Sequence, residues 1–379
     1  MVNYRYIYMV LSLSIMTVLL ACSKGGDALI NLRKDIDIAE KEIVITNIKD
    51  SAVLRFSEVF SKIEYIPLEN TTMSAIGIVD KIMFGPEGDL ITVDKHNNIV
   101  LRFDRHGKFL NKIGEVGRKN NEYISINDVV YDKYNRHVIV WDNPRRSLIM
   151  YTLEGKYVST VDINRYVGSM AEMDDNLLTL HTVDDGYEYI VMNKDGNVLQ
   201  KYDDRYSAVT NIPLVEAQME TSSRQTVLGH SEYSPLVYDV SGKDIIPKYL
   251  FDFKENNIPL EWFALDEEDF SDMLHRNTKV AYCYRFYEAP DYYVMAFLKE
   301  RLYLCVINKN TEETPYMGNN VYNDMTGIPF FDKTNWFGGG VVPIGVQGND
   351  CYFVKESSDF DTSDMDISKL NKQLKVGWT

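Results

Sequence analysis

An all-β fold, a six-bladed β-propeller, is predicted by three observations: a strand-and-turn phrase that repeats at a fixed offset, period-two alternation between Gly/Asn turns, and a chain long enough for about six such units. The phrase is Ile91-Thr92-Val93-Asp94, a polar break, Ile99 to Asp104, then Arg105-His106-Gly107-Lys108-Phe109. It returns as Ile139-Val140-Trp141-Asp142, a break, Leu148 to Tyr151, then Leu153-Glu154-Gly155-Lys156-Tyr157. Asp94 to Asp142, Phe103 to Tyr151 and Gly107 to Gly155 are each 48 positions apart. A period of about 40 to 50 residues, made of short strands and tight turns, marks propeller blades.

The first element is not a blade. Arg5 precedes an apolar run from Ile7 to Leu20. That run has the flank and length of a signal-peptide core and falls short of the roughly 20 residues that span a bilayer. Leu19-Leu20-Ala21-Cys22 resembles the lipobox of bacterial lipoproteins, which implies a signal peptide over residues 1–21 and lipidation at Cys22. Residues 22–50 then read as the lipidated cysteine and tether. A cysteine carrying more than one acyl chain is stably anchored where a single chain is marginal, so the membrane is a partner through the N-terminal lipid.

The blade units follow within residues 51–358. The first runs from Ile76 to Gly117, with turns at Pro86-Glu87-Gly88, His96-Asn97-Asn98 and Arg105-His106-Gly107. The second runs from Ile126 to Ile163 and the third from Val167 to Tyr202. A fourth keeps Leu236 to Gly242, and a fifth keeps Leu302 to Lys309. Alternating apolar positions between Gly/Asn turns are what a strand pressed between neighbouring sheets requires. About residues 258–277 the period is interrupted: apolar groups at spacings of three and four behind acidic residues predict a short helical insertion. The sixth blade is expected to be composite. Val341 to Gly345 and Asp350 to Val354 supply its late strands, and Ala52 to Phe56 with Lys62 to Leu68 supply the missing one, closing the ring without exposed edges. Residues 359–379 form an acidic C-terminal tail.

The stretch Phe60 to Glu69, followed by Ile76-Gly77 and Asp80-Lys81-Ile82, resembles the start of the six-bladed, distantly NHL-like β-propeller lipoproteins of Bacteroidetes. The likeness continues through Phe103 to Phe109, Ile113-Gly114, Glu122-Tyr123, Pro247-Lys248-Tyr249, Phe251-Asp252-Phe253 and Val354-Lys355-Glu356. It implies the fold and export to the cell envelope, on the periplasmic or surface side of the outer membrane, and carries no activity. Where that family usually has a Gly-Pro-Gly-Glu-Tyr loop, this chain has Asn120-Asn121-Glu122-Tyr123.

Composition narrows the partners. The 379 residues hold 40 basic and 56 acidic groups, a net charge of −16. Such a surface repels phosphate backbones, so nucleic acid is excluded. Apart from Cys22 the thiols are Cys283, Cys305 and Cys351, which allow at most one disulfide. Cys283 and Cys305 sit in apolar runs that suit buried small hydrophobes.

Candidate sites are few. Arg118, Glu122 and Tyr123 lie on a loop joining two blades and place a cation, a carboxylate and a ring where a ligand would meet them; the competing reading is a loop that pairs its own charges. Trp336 stacks on a sugar or plugs the ring. Asp94 and Asp142 recur at one repeat position, either as a carboxylate ring around a channel or as strand-end groups satisfying turn amides. Gly338-Gly339-Gly340 lacks the Lys-Ser/Thr of a phosphate loop. No histidine or cysteine spacing suits a metal, Asp359 to Asp366 lack the glycine and glutamate of a calcium loop, and no nucleophile elbow is present. The expectation is therefore a membrane-anchored, non-catalytic propeller without cofactor or metal, binding a glycan, peptide or envelope protein. The alternative is a propeller hydrolase or lyase acting on extracytoplasmic polysaccharide in the central channel, with charged groups of both signs at one mouth.

Overall fold

The computed structural model describes residues 29–174, 176–182, 187–203, 217–222, 226–242, 244–311, 315–326 and 342–355. The expected signal peptide, Cys22, Trp336, Gly338–Gly340 and the expected tail at 359–379 lie outside these residues.

Residues 29–38 form helix α1. Strands β1 (Lys41–Val44) and β2 (Val53–Arg55) and the one-turn helix α2 (Phe56–Val59) follow. Four-stranded antiparallel sheets then succeed one another. Blade 1 holds β3 (Lys81–Phe84), β4 (Leu90–Asp94), β5 (Ile99–Phe103) and β6 (Phe109–Lys112). Blade 2 holds β7 (Ile126–Asp132), β8 (His137–Asp142), β9 (Ser147–Thr152) and β10 (Tyr157–Asp162). Blade 3 holds β11 (Val167–Glu172), β12 (Leu177–Thr182), β13 (Tyr187–Asn193) and β14 (Val198–Asp203). Blade 4 holds β15 (Ala217–Thr221), β16 (Val227–Ser231), β17 (Leu236–Asp239) and β18 (Ile246–Asp252). Blade 5 holds β19 (Tyr282–Glu288), β20 (Tyr292–Lys299), β21 (Arg301–Asn308) and β22 (Tyr316–Gly318). Between blades 4 and 5 stand 3-10 turns at Lys254–Asn256 and Leu260–Ala264 and helix α3 (Glu267–Arg276), whose first turn is capped by the Asp266 carboxylate accepting from the Asp269 amide at 2.9 Å.

The described residues therefore contain five four-stranded blades, not the six expected. The sixth sector holds a hairpin of β24 (Gly345–Gln347) and β25 (Asp350–Tyr352). First strands stand side by side around one axis, from β3 through β7, β11, β15 and β19 to β24 and back to β3.

The expected closure by an N-terminal strand also takes another form. β2 runs parallel to β23 (Asn320–Tyr322), with Leu54 opposite Val321, and does not pair with the late hairpin. Contact with the late segment comes instead from side-chain packing at α2: the Phe56 and Phe60 rings lie 6.3 and 6.1 Å from Phe353. Residues 62–68 form no strand. Pro67 offers no amide hydrogen to a ladder, and the segment lies against the outer turn of blade 1, where the Glu69 amide donates to the Gly107 carbonyl at 2.8 Å and the Glu69 carboxylate accepts from Phe109. β1 adds a fifth, parallel strand to blade 4, with Ile43 opposite Phe251.

The repeat carries its packing with it. Gly107 and Gly155 both have positive φ, and a Cβ on either would run into a carbonyl oxygen, of Pro67 or of Lys112. Asp94 accepts from the Gly77, Ile78 and Asn97 amides, and Asp142 from Ile124 and Arg145. These carboxylates satisfy turn amides and staple each incoming loop to the β4–β5 or β8–β9 turn; they do not form a ring around a channel. Cores lie between sheets. Trp141 is fully buried among Met170, Leu178 and Leu180 of blade 3, and its Nε1–H donates to Asn143 at 2.9 Å. Cys283, Cys305 and Cys351 are free thiols, the first two deeply buried.

Candidate functional site

Charged side chains of four first strands meet at the axis. In β15 the strand period turns Met219 into the core and leaves Gln218 and Glu220 on the opposite side. Lys81 of β3 reaches Asp128 of β7 at 2.9 Å, and the second Asp128 oxygen accepts from the Met170 amide of β11 at 2.8 Å. One carboxylate thus joins blades 1, 2 and 3. The Gln218 amide exchanges bonds with the Phe286 carbonyl and amide at 2.8 and 2.9 Å, joining blades 4 and 5. Arg285 lies over the Tyr284 ring at 4.4 Å and acts electrostatically on both Lys81 and Glu220.

Burial opposes the Lys81 charge, yet Asp128 and Glu220 overcome it and hold the lysine above its usual range. Burial raises the Glu220 carboxyl, Lys81 pulls it back, Asp128 pushes it up, and the result is a raised value. The arrangement offers a fixed ammonium, a guanidinium, a locked carboxylate and a second carboxyl group that burial raises above the ordinary glutamate value. It suits hydrogen bonding to a polar, near-neutral ligand.

Two further ion sets lie away from the axis, one joining blades 2 and 3 and one within blade 5. Lys194, just past β13, reaches Asp132 at 2.7 Å and Glu172 at 3.9 Å. Burial first, then the hydrogen bond to Asp132, raises Glu172 to about 8. Against its own burial, bonds from Glu172, Lys194 and Asn135 hold Asp132 at about 2. Lys309, at the matching place past β21, reaches Glu288 at 2.9 Å.

The loop expected to bind turns its groups on itself. Tyr123 is fully buried, donates to the Asn98 carbonyl at 3.2 Å and meets the Tyr151 ring edge-on at 6.3 Å. Burial drives its hydroxyl well above the usual range. Glu122 accepts from the Lys119 amide at 3.0 Å and pairs with the Lys119 ammonium at 3.0 Å, bonds that lower its pKa. Arg118 stands exposed on the same loop. Arg118, Glu122 and Tyr123 share a segment without converging on one point, and Trp336 lies outside the described residues.

The axial set escaped sequence reasoning because its members are scattered from position 81 to 285. A signal existed: each is a charge in the first strand of a blade, where the blade repeat otherwise reads as core. Among the described residues no group of three or more His, Cys, Asp or Glu side chains is placed to hold a metal ion.

A family model described as a domain of unknown function, DUF4934, matches residues 34–375. No characterised protein matches the chain. Among solved structures, a Bacteroides fragilis NCTC 9343 protein described as exported aligns with a TM-score of 0.63 and 17% identity, over 80% of this chain and 86% of its own. A member of the DUF4221 family from Bacteroides vulgatus aligns with a TM-score of 0.47 and 9% identity, over 67% and 84%. An inactive virginiamycin B lyase from Staphylococcus aureus, in complex with quinupristin, aligns with a TM-score of 0.38 and 10% identity, over 61% and 65%. The first of these shows the propeller fold. The other two say nothing about the chemistry of this chain.

Proposed function

The chain belongs to the DUF4934 family, and from that premise we propose that it is an extracytoplasmic, lipid-anchored propeller that binds a glycan, peptide or protein partner at the axial charge cluster. The observation that carries this reading is the meeting of Lys81, Asp128, Glu220 and Arg285 from four separate strands. A rigid ring that holds polar groups of both signs in fixed positions favours recognition, because little side-chain freedom is lost on binding. The signal-like Ile7–Leu20 run, the lipobox-like Leu19–Cys22 and the fold likeness to a protein described as exported support the location.

The test captures partners from detergent-solubilised envelopes with the full chain, alongside a glycan array. Wild type retains a partner, and Glu220→Gln weakens retention at an unchanged unfolding midpoint. Retention indifferent to that substitution, or no retention in either format, refutes the reading. For the anchor, labelling cells with an alkyne fatty acid tags the wild type, whereas Cys22→Ser carries no label and leaves the membrane fraction.

A propeller hydrolase or lyase is the second reading, favoured by the Glu220 carboxyl, which burial and then Asp128 raise in the direction an acid catalyst needs against the pull of Lys81 and Arg285. Reducing-end release from extracytoplasmic polysaccharides that is lost in Glu220→Gln would replace the binding reading with this one.

A further inference from the structure

The segment that interrupts the blade repeat builds a second, unrelated feature. A cavity of about 270 Å³ lies where the insertion meets blade 4 and the start of blade 5. Five aromatic rings line it: Tyr233, Phe251, Phe253, Phe263 and Tyr282. Tyr233 and Tyr282 lie 4.6 Å apart, and Phe263 is backed by Phe270 of α3 at 5.7 Å. The Asn257 side chain accepts from the Phe253 amide at 2.8 Å and donates to Asp252 at 2.7 Å, so the wall is held by its own bonds.

The lining also includes two carboxylates, Glu42 from β1 and Asp252 from the end of β18. One lysine serves both: Lys254 pairs with Asp252 and approaches Glu42 at 3.7 Å. Against burial, the Lys254 ammonium and amide hold Asp252 at about 2, while the hydrogen bond with Asp252 raises Glu42. With both carboxylates ionised, the state an incoming cation favours, the local balance is one negative charge in excess. Aromatic faces attract cations, and an excess carboxylate beside them adds to that attraction while repelling anions.

We propose that this cavity binds a small organic cation, an aromatic or apolar body of one or two fused rings that carries a protonated amine. The body packs among the five rings, and the ammonium sits at the Glu42–Asp252 end, where it supplies the missing positive charge. The volume lies just under the range of drug-sized pockets, which sets the limit of one or two rings. The site is separate from the axial cluster and stands whether or not the axial reading does.

Three probes that share an indole ring test it on the full chain in detergent, by calorimetric titration: tryptamine, indole and indole-3-acetate. Tryptamine is expected to bind about tenfold more tightly than indole, the factor that about 1.4 kcal/mol gives, and indole-3-acetate more weakly than either. Glu42→Gln changes a half-exposed side chain on an added edge strand; it brings tryptamine toward indole and leaves indole unchanged. Leu260→Trp fills the lined space and abolishes binding of all three, and if that variant fails to fold, Glu42→Gln decides alone. The proposal is overturned if no probe binds wild type, if tryptamine and indole-3-acetate bind alike, if Glu42→Gln leaves the preference intact, or if folded Leu260→Trp still binds.

Discussion

Glu172→Gln should change how stability depends on pH, and the structure gives the size of the change. Glu172 is 6% exposed, hydrogen-bonded to Asp132, near the Lys194 ammonium and held at about 8. The unfolded chain releases this proton near the ordinary glutamate value of about 4.3. Between those values the native state binds one more proton than the unfolded state, so stability falls as pH rises. His181 and His230 act in the opposite sense. Burial lowers their values to about 3 and about 4, so their contribution is complete above about 6.5 and is lost below it. The unfolded histidines still release protons just above about pH 6.5 and the unfolded cysteines begin to above about 7.5, so no window belongs to Glu172 alone. The difference between wild type and variant isolates it, and about pH 6.5 to 8 spans most of its change. Integrating a group held near 8 across that window gives a loss of about 1.6 kcal/mol, or about half a molar in urea midpoint at a slope of about 3 kcal/mol/M. Glutamine keeps the shape of the protonated carboxyl and does not titrate. Urea unfolding at several pH values across the window measures both proteins: the wild-type midpoint falls relative to the variant midpoint by about half a molar. Parallel pH curves for the two proteins would refute the raised value of Glu172.

Four further outcomes are expected from unfolding measurements on single variants. Trp141→Ala should cost about 3 to 5 kcal/mol, because it empties the deepest contact between blades 2 and 3. Gly114→Ala should cost more than about 1 kcal/mol, since the residue has positive φ and a Cβ would meet the Tyr123 and Tyr151 rings. Asp94→Ala removes a buried carboxylate that gathers the amides of Gly77, Ile78 and Asn97, which stand at exposed positions where water can replace it, and should cost about 1 to 3 kcal/mol in urea unfolding. Arg118→Ala, on an exposed loop position, should stay within about 0.5 kcal/mol of wild type, and a larger loss would mean that the guanidinium holds its loop.

The regular part of the fold was legible because it is local. The 48-residue offset that relates Asp94 to Asp142 reflects one repeated act, a strand-end carboxylate gathering turn amides, and Gly107 and Gly155 repeat because each turn presses on a neighbouring carbonyl. What local pattern does not encode is partner choice at the ends of the ring. A three-residue strand such as Val53–Arg55 holds too little periodicity to say whether it pairs with Asn320–Tyr322 or with Asp350–Tyr352. The same limit explains the blade count, since the sixth sector rests on two three-residue strands. The axial cluster stayed hidden for a related reason: Lys81, Asp128, Glu220 and Arg285 become neighbours only once the ring has closed. The cavity was half visible, as an interruption with helical spacing that includes Phe263, but Phe251 and Tyr282 come from blade strands that read as ordinary core, and Tyr233 and Phe253 from the turns beside them.

The attachment of β1 and β2 has a consequence for how the chain matures. Tyr303 bonds the Lys49 carbonyl from 254 residues away, and Ser57 bonds Asp324 from 267. A polypeptide made from its amino end produces these latches first and their docking places last. Blade 4 has an uncovered flank along β18 until β1 arrives, and an uncovered flank invites pairing with other chains. Contacts this distant are also the slowest to form. The vulnerable interval should therefore come late, after most sheets exist and before the leading segment has found its place, and helpers that shield nascent strands would matter most then.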